Sequence, residues 1–348
     1  MTDQLADRLT MRADPSESRQ PRGRGARLPR ALAVVGERYA LVVLLAVVIV
    51  FFTILPSTSS TFPTQANLNA VLGNQSVVAI LAIAAIFPLV AGYFDFTLGA
   101  VAGLSALVSA ACMSQAHLPV WLAIIIGILS GTAIGAFNAL LVAITKLDAF
   151  VVTLGVATLV TGLLQWYSGG QNIILGISPV ITSFGSLQFL WIPQTIYLVA
   201  LIAAASWFLL NRLPYGRRIQ ALGSNARAAR LVGISLERHV SSVFLISGTL
   251  AGIAGIVMVA RNGGAIANAG PDLLFPALAA VFLGMTAVHP GQYNVPGTIL
   301  GVLFVAGTIS GLTLAGGSGW VNSVFEGAIL IIAVALGHFL SRRRRDVT

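Results

Sequence analysis

Five long stretches of this chain carry no Asp, Glu, Lys or Arg: 39–94, 96–145, 149–211, 240–260 and 273–325. They are mostly apolar. A helix needs about 20 apolar residues to cross a bilayer core. Lipid offers no partner to backbone polar groups, so helices are the default element. Membrane strands would alternate apolar and polar residues over roughly ten positions, and these runs do not. The pattern predicts ten helical spans, near 39–55, 75–92, 96–114, 120–144, 149–166, 192–210, 240–260, 272–288, 295–314 and 320–340. The expected fold is an all-α integral membrane protein.

Charge gives this topology a direction. With the N-terminus in the cytoplasm, nineteen of the twenty Lys and Arg residues fall on one side: eight arginines up to Arg38, then Lys146, six arginines in the loop 211–239, and Arg342 to Arg345. Only Arg261 falls on the other. Basic residues stay cytoplasmic, so both termini are expected there; an odd number of crossings would separate the two arginine-rich ends. Trp121, Trp166, Trp191 and Trp320 lie at predicted outer ends, as an interfacial aromatic belt requires.

Composition agrees. Hydrophobic residues make up 57% and charged residues 9%, against about 25% charged in soluble domains. The bundle consumes most of the 348 residues and leaves little for an enzyme domain. The formal charge of +9 is spread over ends and loops, which suits anionic lipid headgroups and points away from nucleic acid. The single cysteine, Cys112, excludes an intramolecular disulfide and reads as a small packing residue. Three regions follow: an arginine-rich tail, 1–38, too poor in apolar residues to fold alone; a transmembrane domain, 39–340, containing the cytoplasmic loop 211–239; and a basic tail, 341–348. The run from Tyr39 to Leu55 exceeds a usual signal-peptide core and lacks an obvious cleavage site, so it reads as a retained span.

Glycines recur at four-residue spacing: Gly99/Gly103, Gly127/Gly131/Gly135, Gly248/Gly252, Gly297/Gly301 and Gly307/Gly311. Small residues one turn apart let helix backbones approach closely, and bundle packing is the plain reading. Pro88, Gly92, Pro276, Pro290 and Pro296 interrupt hydrophobic segments, as broken helices beside a cavity do. Gly131-Thr132-Ala133-Ile134-Gly135 and Gly297-Thr298-Ile299-Leu300-Gly301 open spans four and nine. Five crossings apart, they run oppositely, making an inverted-topology repeat a candidate.

The loop 211–239 carries the strongest functional signal. It contains Tyr215-Gly216-Arg217-Arg218, then Gly223-Ser224-Asn225, then Ala228-Ala229 and Gly233-Ile234. A Ser-Asn turn before an Ala-rich run that ends at glycine predicts a short capped helix, suited to a groove on a partner; charge alone would also give a solvated loop. These residues resemble the cytoplasmic loop of the ribose-type permeases, membrane subunits of bacterial ABC importers for monosaccharides. Phe94-Asp95-Phe96-Thr97-Leu98-Gly99-Ala100, Phe150-Val151-Val152-Thr153-Leu154-Gly155, Ser168-Gly169-Gly170-Gln171 and the Gly297–Gly301 run also resemble that family, in order and at compatible spacing.

The resemblance implies a permease in the bacterial cytoplasmic membrane, paired with a second permease chain, like or unlike itself. An extracytoplasmic solute-binding protein would serve it outside, and ATPase subunits would dock on loop 211–239 through Arg217, Gly223, Asn225, Ala228, Ala229 and Gly233. ATP and magnesium would belong to the ATPase, with no cofactor on this chain. A phosphate-binding loop needs a lysine after glycine, and the only lysine, Lys146, follows Thr145; the ABC-signature likeness of Tyr167-Ser168-Gly169-Gly170-Gln171 is set aside on that ground. Two departures stand out. Arg227 replaces an acidic residue of the family, which implies a partner of altered charge. In Leu283-Gly284-Met285-Thr286-Ala287-Val288-His289 bulkier groups replace glycines, which sets the solute apart from simple transfer of ribose.

Ionisable residues near spans are functional candidates. Asp95 would cap span three or act in gating. Glu326 would pair with Arg261, with Asp272 competing for that arginine. Asn74, Gln75, Asn138, Gln165 and Asn172 are candidate solute contacts. His117, His239, His289 and His338 lack metal-ligand spacing, and no metal site is expected. The competing class is an ion-coupled secondary transporter, but such carriers place titratable groups at the midplane, where these spans are nearly bare. An intramembrane enzyme would need a catalytic constellation that the chain lacks.

Overall fold

The computed structural model describes residues 30–345, with side chains from 39 to 336. The tail 1–29 and residues 346–348 lie outside it, as does the His338 side chain. From Glu37 onward the chain gathers into one unit, and that unit is described below.

Fourteen α-helices and one tiny hairpin make up the described chain. Seven helices are long and apolar enough to cross a membrane: α2 (Gln65–Val90), α4 (Val120–Ala139, extended by a π-helical turn, Leu140–Ile144), α5 (Ala149–Ser168), α7 (Gln194–Asn211), α10 (Leu236–Asn262), α13 (Val295–Leu314) and the apolar part of α14 (Gly319–Arg345). Three shorter apolar segments join them: the Tyr39–Ile54 part of α1 (Arg30–Ile54), α3 (Leu98–Ser114), and α11 (Ala269–Asp272) running into α12 (Leu274–Gly284). The remainder is surface structure: α6 (Pro179–Ser186), the hairpin β1 (Gln188–Phe189) and β2 (Ile192–Pro193), α8 (Pro214–Ser224) and α9 (Ala226–Leu231). The fold is all-α, and the chain is a multi-pass membrane protein.

The core sits around α2. Every residue from Ser76 to Leu89 is buried, enclosed by α7, α10, α12 and α13. A helix apolar on all sides must be covered on all sides. Its one buried hydroxyl in this stretch, Ser76, donates to the Gly73 carbonyl at 2.6 Å. By contrast α4, α5, α7 and α14 leave large apolar side chains exposed, among them Leu129, Leu159, Leu201 and Ile331, as lipid-facing helices do.

Glycine spacing decides the most extensive contact, that of α10 on α4. A Cβ on Gly131 would stand 2.7 Å from the Gly248 carbonyl oxygen, and one on Gly248 would stand 2.6 Å from that of Gly131. Gly135 similarly faces the Phe244 carbonyl at 2.5 Å. Gly297 and Gly301 of α13 meet the α12 backbone at Gly284 and Ala280 in the same way. The two Gly-Thr runs therefore both serve close helix pairing, α4 with α10 and α13 with α12.

Several expected boundaries shift. Span two begins at Gln65, ten residues earlier than expected, because Thr64 caps the helix by accepting from Asn67 N–H at 3.2 Å. Pro88 does not break α2. It sits in the final turn, and its carbonyl accepts from Tyr93 N–H at 2.9 Å as the chain leaves the helix. Pro276 and Pro296 lie in the first turns of α12 and α13, where proline's missing N–H costs nothing. The expected span 272–288 is shorter and ends at Gly284, where the Asn294 amide donates to carbonyls of Ala287 and Gln292 at 3.2 and 3.0 Å and its Oδ1 accepts from Gly297 N–H at 2.7 Å. The helix α14 continues through the expected basic tail as far as Arg345.

Replacing Gly135 with alanine should destabilise the purified protein by about 1–3 kcal/mol, the usual range for overpacking. Gly307→Ala, where a Cβ meets nothing within 4 Å, should be neutral or mildly stabilising. Thermal unfolding of the two variants in one detergent checks the contrast.

Candidate functional site

The loop 211–239 folds as a pair of short helices laid on one end of the bundle. Gly216, Ile219 and Leu222 of α8 recur every third residue and are buried, while Arg217, Arg218, Gln220 and Ser224 are exposed. Asn225 then caps α9: its Oδ1 accepts from Arg227 and Ala228 N–H at 3.1 and 3.0 Å. Gly233, at φ +82, ends the turn, with Gly233 N–H on the Arg230 carbonyl and Ile234 N–H on that of Ala229. A left-handed residue there favours glycine. The expected capped helix with its glycine stop is present.

Of the candidate docking residues, Arg217, Gly223, Asn225, Ala228 and Gly233 are exposed, whereas Ala229 is buried toward the bundle. At the tip Leu231 and Val232 are 89% and 76% exposed, an apolar point flanked by Arg227 and Arg230.

Three contacts fasten this pair to the bundle. A Cβ on Gly216 would stand 1.9 Å from the Leu210 carbonyl of α7. The Tyr215 hydroxyl shares a hydrogen bond of 2.8 Å with Ser242 of α10, and its ring stacks on His239. A Cβ on Gly223 would stand 2.1 Å from the Val90 carbonyl at the end of α2, and Gly92, at φ +86, faces the Gly223 backbone in return. Gly223 is accessible on one side and in backbone contact with α2 on the other.

That last contact leads to the segment 91–97, which links α2 to α3. Asp95 is buried in it. Its Oδ1 accepts from the Thr97 N–H at 3.0 Å and from the Thr97 hydroxyl, and its Oδ2 accepts from Ser247 of α10 at 2.8 Å. Asn138 of α4 donates to the Thr97 hydroxyl at 3.0 Å, while its own Oδ1 finds no partner among the described residues. Burial pushes the Asp95 carboxyl up from the ordinary range, and the bonds from Thr97 and Ser247 draw it back. The carboxylate thus ties segment 91–97 to α10, and Thr97 extends the network to α4. The carboxylate reaches Thr97, the residue just before α3, and none of the first-turn amides of that helix.

Beside it lies an aromatic cluster. Phe94 stacks on Phe96 with centroids 5.9 Å apart; Phe96 meets Phe150 of α5 edge-on at 5.2 Å; Phe94 approaches Phe282 of α12, which meets Tyr293 at 6.0 Å. Burial pushes the Tyr293 phenol up to about 12, so it stays neutral. Phe94 and Phe150 remain 41% and 52% exposed.

At the opposite end of the bundle, Gln165 donates to Asn268 at 3.1 Å, and Asn172 accepts from Ala267 N–H at 2.9 Å. Ile173 and Ala265 pair through their backbones beside them. Asn74 is engaged elsewhere, accepting from Arg261 at 2.7 Å, and Gln75 next to it is half-buried. The five candidate solute contacts therefore do not form one site: Gln165 and Asn172 meet at segment 265–268, Asn74 and Gln75 lie on α2, and Asn138 belongs to the Asp95 network. The expected Glu326–Arg261 pair does not form either. Arg261 turns toward α2 and α6, donating to the Gly185 carbonyl at 2.6 Å and filling the space over Gly73. Glu326 is on α14, which packs on α12 and α13, and its charged neighbour is Asp272. Thr97, Tyr215, Ser247 and Asn294 were not singled out from sequence, although Thr97 and Tyr215 stand inside the quoted motifs, and Gly92 was marked only as a break in a hydrophobic segment. Among the described residues no cluster of His, Cys, Asp and Glu could hold a metal.

Comparison with known proteins places the chain in a family. The family described as the branched-chain amino acid transport system permease component matches residues 67–334. The ribose import permease protein RbsC of Haemophilus influenzae is 30% identical over 299 residues, covering 85% of this chain and 92% of that one. The D-allose transport system permease protein AlsC of Escherichia coli is 31% identical, over 90% and 95% of the two chains. The autoinducer 2 import system permease protein LsrD of Klebsiella pneumoniae is 33% identical, over 82% and 88%. No solved structure matches the chain. The chain belongs to the ribose-type permease family.

Removing the Ser247 hydroxyl by Ser247→Ala should cost about 1–3 kcal/mol, the range for depriving a buried group of a partner. Thr97→Val should cost more, since Thr97 serves both Asp95 and Asn138. Unfolding of the purified variants measures both; equal stability of Thr97→Val and wild type would show that the network bears no load.

Proposed function

We propose that this chain is the transmembrane permease of an ATP-driven importer for a monosaccharide or a similar small polar solute. It works in the bacterial cytoplasmic membrane, crosses it ten times, and keeps both termini inside. The seven long and three shorter apolar helices support that count, and the one-sided distribution of basic residues supports the direction. The relatives are permeases named for ribose, allose and autoinducer 2 import, which supports a sugar-like cargo.

The observation that carries the reading is the two-sided character of α8 and α9. Their inner face is locked to α2, α7 and α10 through backbone and side-chain contacts, and their outer face offers Arg217, Asn225, Ala228 and the Leu231–Val232 point to a partner. A separate ATPase docks there and hydrolyses ATP with magnesium. When it closes, the displacement enters α8, passes through Gly223 to the end of α2, and moves the segment 91–97. The aromatic group around Phe94 and Phe150 closes the inner end of the pathway between this permease and a second permease chain. An extracytoplasmic binding protein delivers solute at the other end, near Gln165 and Asn172. A ligand on either face thereby biases one two-state element. The pathway is confined to the region 39–340, between the two basic ends of the chain; α1 already begins at Arg30 and α14 runs on to Arg345, past the expected boundaries.

Gly223→Val would thrust a branched side chain into the Val90 carbonyl. Solute uptake should fall at least ten-fold while the protein still reaches the membrane and the ATPase still hydrolyses ATP. Wild-type uptake should persist with a protonophore and stop with vanadate. The reverse response would assign the chain to ion-gradient-driven carriers.

A further inference from the structure

The connection from α9 to α10 and the turn between α4 and α5 line an open surface cavity of about 550 Å³. Three cations and one anion line it: Lys146, Arg230, Arg238 and Glu237, with Ile234 and Leu236. Each cation comes from a different element. Arg230 stands in the last turn of α9 and Arg238 in the first turn of α10. Lys146 follows the π-helical turn at the end of α4, in a left-handed conformation at φ +60. Glu237 is the one carboxylate in the lining, and it leaves two of the three positive charges there unbalanced.

The surroundings are apolar. Ile144 and Leu147, two residues before and one after the lysine, are 59% and 52% exposed, and Leu245 is exposed further along α10, against which the π-helical turn packs. A basic cavity above an exposed apolar seam has the two chemistries of a phospholipid, a phosphate at one end and acyl chains at the other. Basic pockets between spans on the cytoplasmic side recognise anionic headgroups. We propose that this cavity holds the headgroup of an anionic phospholipid. The exposed seam favours a lipid over a free anion, which would gain nothing from Ile144, Leu147 and Leu245. Because the cavity joins α9 to the α4–α5 turn, an occupied headgroup ties the coupling helices to the bundle and makes coupling dependent on lipid composition.

The inference takes from the proposed function that this face lies at the inner bilayer surface. Its test measures binding to the isolated permease, so it fails or succeeds independently of transport. The purified protein is titrated with phosphatidylglycerol, phosphatidylcholine or inorganic phosphate and followed by native mass spectrometry. Phosphatidylglycerol should bind at least ten-fold more tightly than phosphatidylcholine. Each neutralised cation should weaken it roughly five-fold, the value of one basic residue at an anionic surface, so the paired Lys146→Gln and Arg238→Gln variant should lose about 25-fold. Glu237→Gln should tighten it several-fold, a gain that a misfolded variant cannot produce, and Lys146→Arg should retain it. Equal binding of the two lipids, an unchanged affinity in the paired variant, or no gain in Glu237→Gln would overturn the assignment. Displacement of the lipid by equimolar phosphate would reassign the cavity to a free anion. Arg230→Gln that loses the ATPase yet keeps its lipid affinity would reassign it to the protein partner.

Discussion

Lipid tails are as apolar as leucine, so helices in a bilayer have no hydrophobic reason to associate. What remains is contact between backbones, and contact requires that side chains stand aside. In this chain the requirement is met by glycine facing glycine. Gly131 and Gly135 on α4 interlock with Gly248 and the Phe244 carbonyl on α10. Gly185 lets α6 lie on the Ala260 carbonyl, and Gly270 lets the start of α11 lie on Gly99 and Gly103. Only with α10 held this closely can α2 be covered on every side from Ser76 to Leu89. A covered α2 in turn gives the short connections at its end something firm to act upon.

Those connections are where packing becomes function. The segment 91–97 is seven residues long, yet its glycine touches α8, its carboxylate holds α10, and its threonine receives α4. None of these bonds would work on a free loop, because each partner belongs to a different helix and their spacing is set by the glycine contacts above. A buried carboxylate with hydroxyl and amide donors alone is expensive to maintain. Here it fixes the segment to α10, while Thr97 fixes it to α4.

Much of this was legible in the chain. Hydrophobic runs in lipid must be helices, so the spans followed from the absence of charge over 39–94, 96–145 and the rest. Side-chain caps are local, so Asn225 and Gly233 announced α9 without tertiary knowledge. Partners distant in sequence were not legible. Arg261 and Glu326 looked like a pair because opposite charges attract, but Arg261 turns toward α2 and α6, where the Gly185 carbonyl and the Asn74 amide oxygen accept from its two terminal nitrogens, while α14 packs on α12 and α13. Asn138 looked like a solute contact because it is polar within an apolar run; it is bonded to Thr97, forty-one residues earlier. Pro88 looked like a break, but a proline one turn from a helix end only shapes the exit. The polar candidates scattered because periodicity tells which residues share a helix face and says nothing about which faces meet.

The abutment of Gly92 and Gly223 has a mechanical meaning. Interposed side chains would act as springs, since rotamers hop and methyl groups give way before the main chain moves. Two bare backbones have no such slack. A push on one must shift the other by nearly the same distance, so the joint behaves as a stiff hinge pin. Such a joint needs glycine for different reasons on its two sides: at 223 because a Cβ would meet the Val90 carbonyl, at 92 because φ is +86.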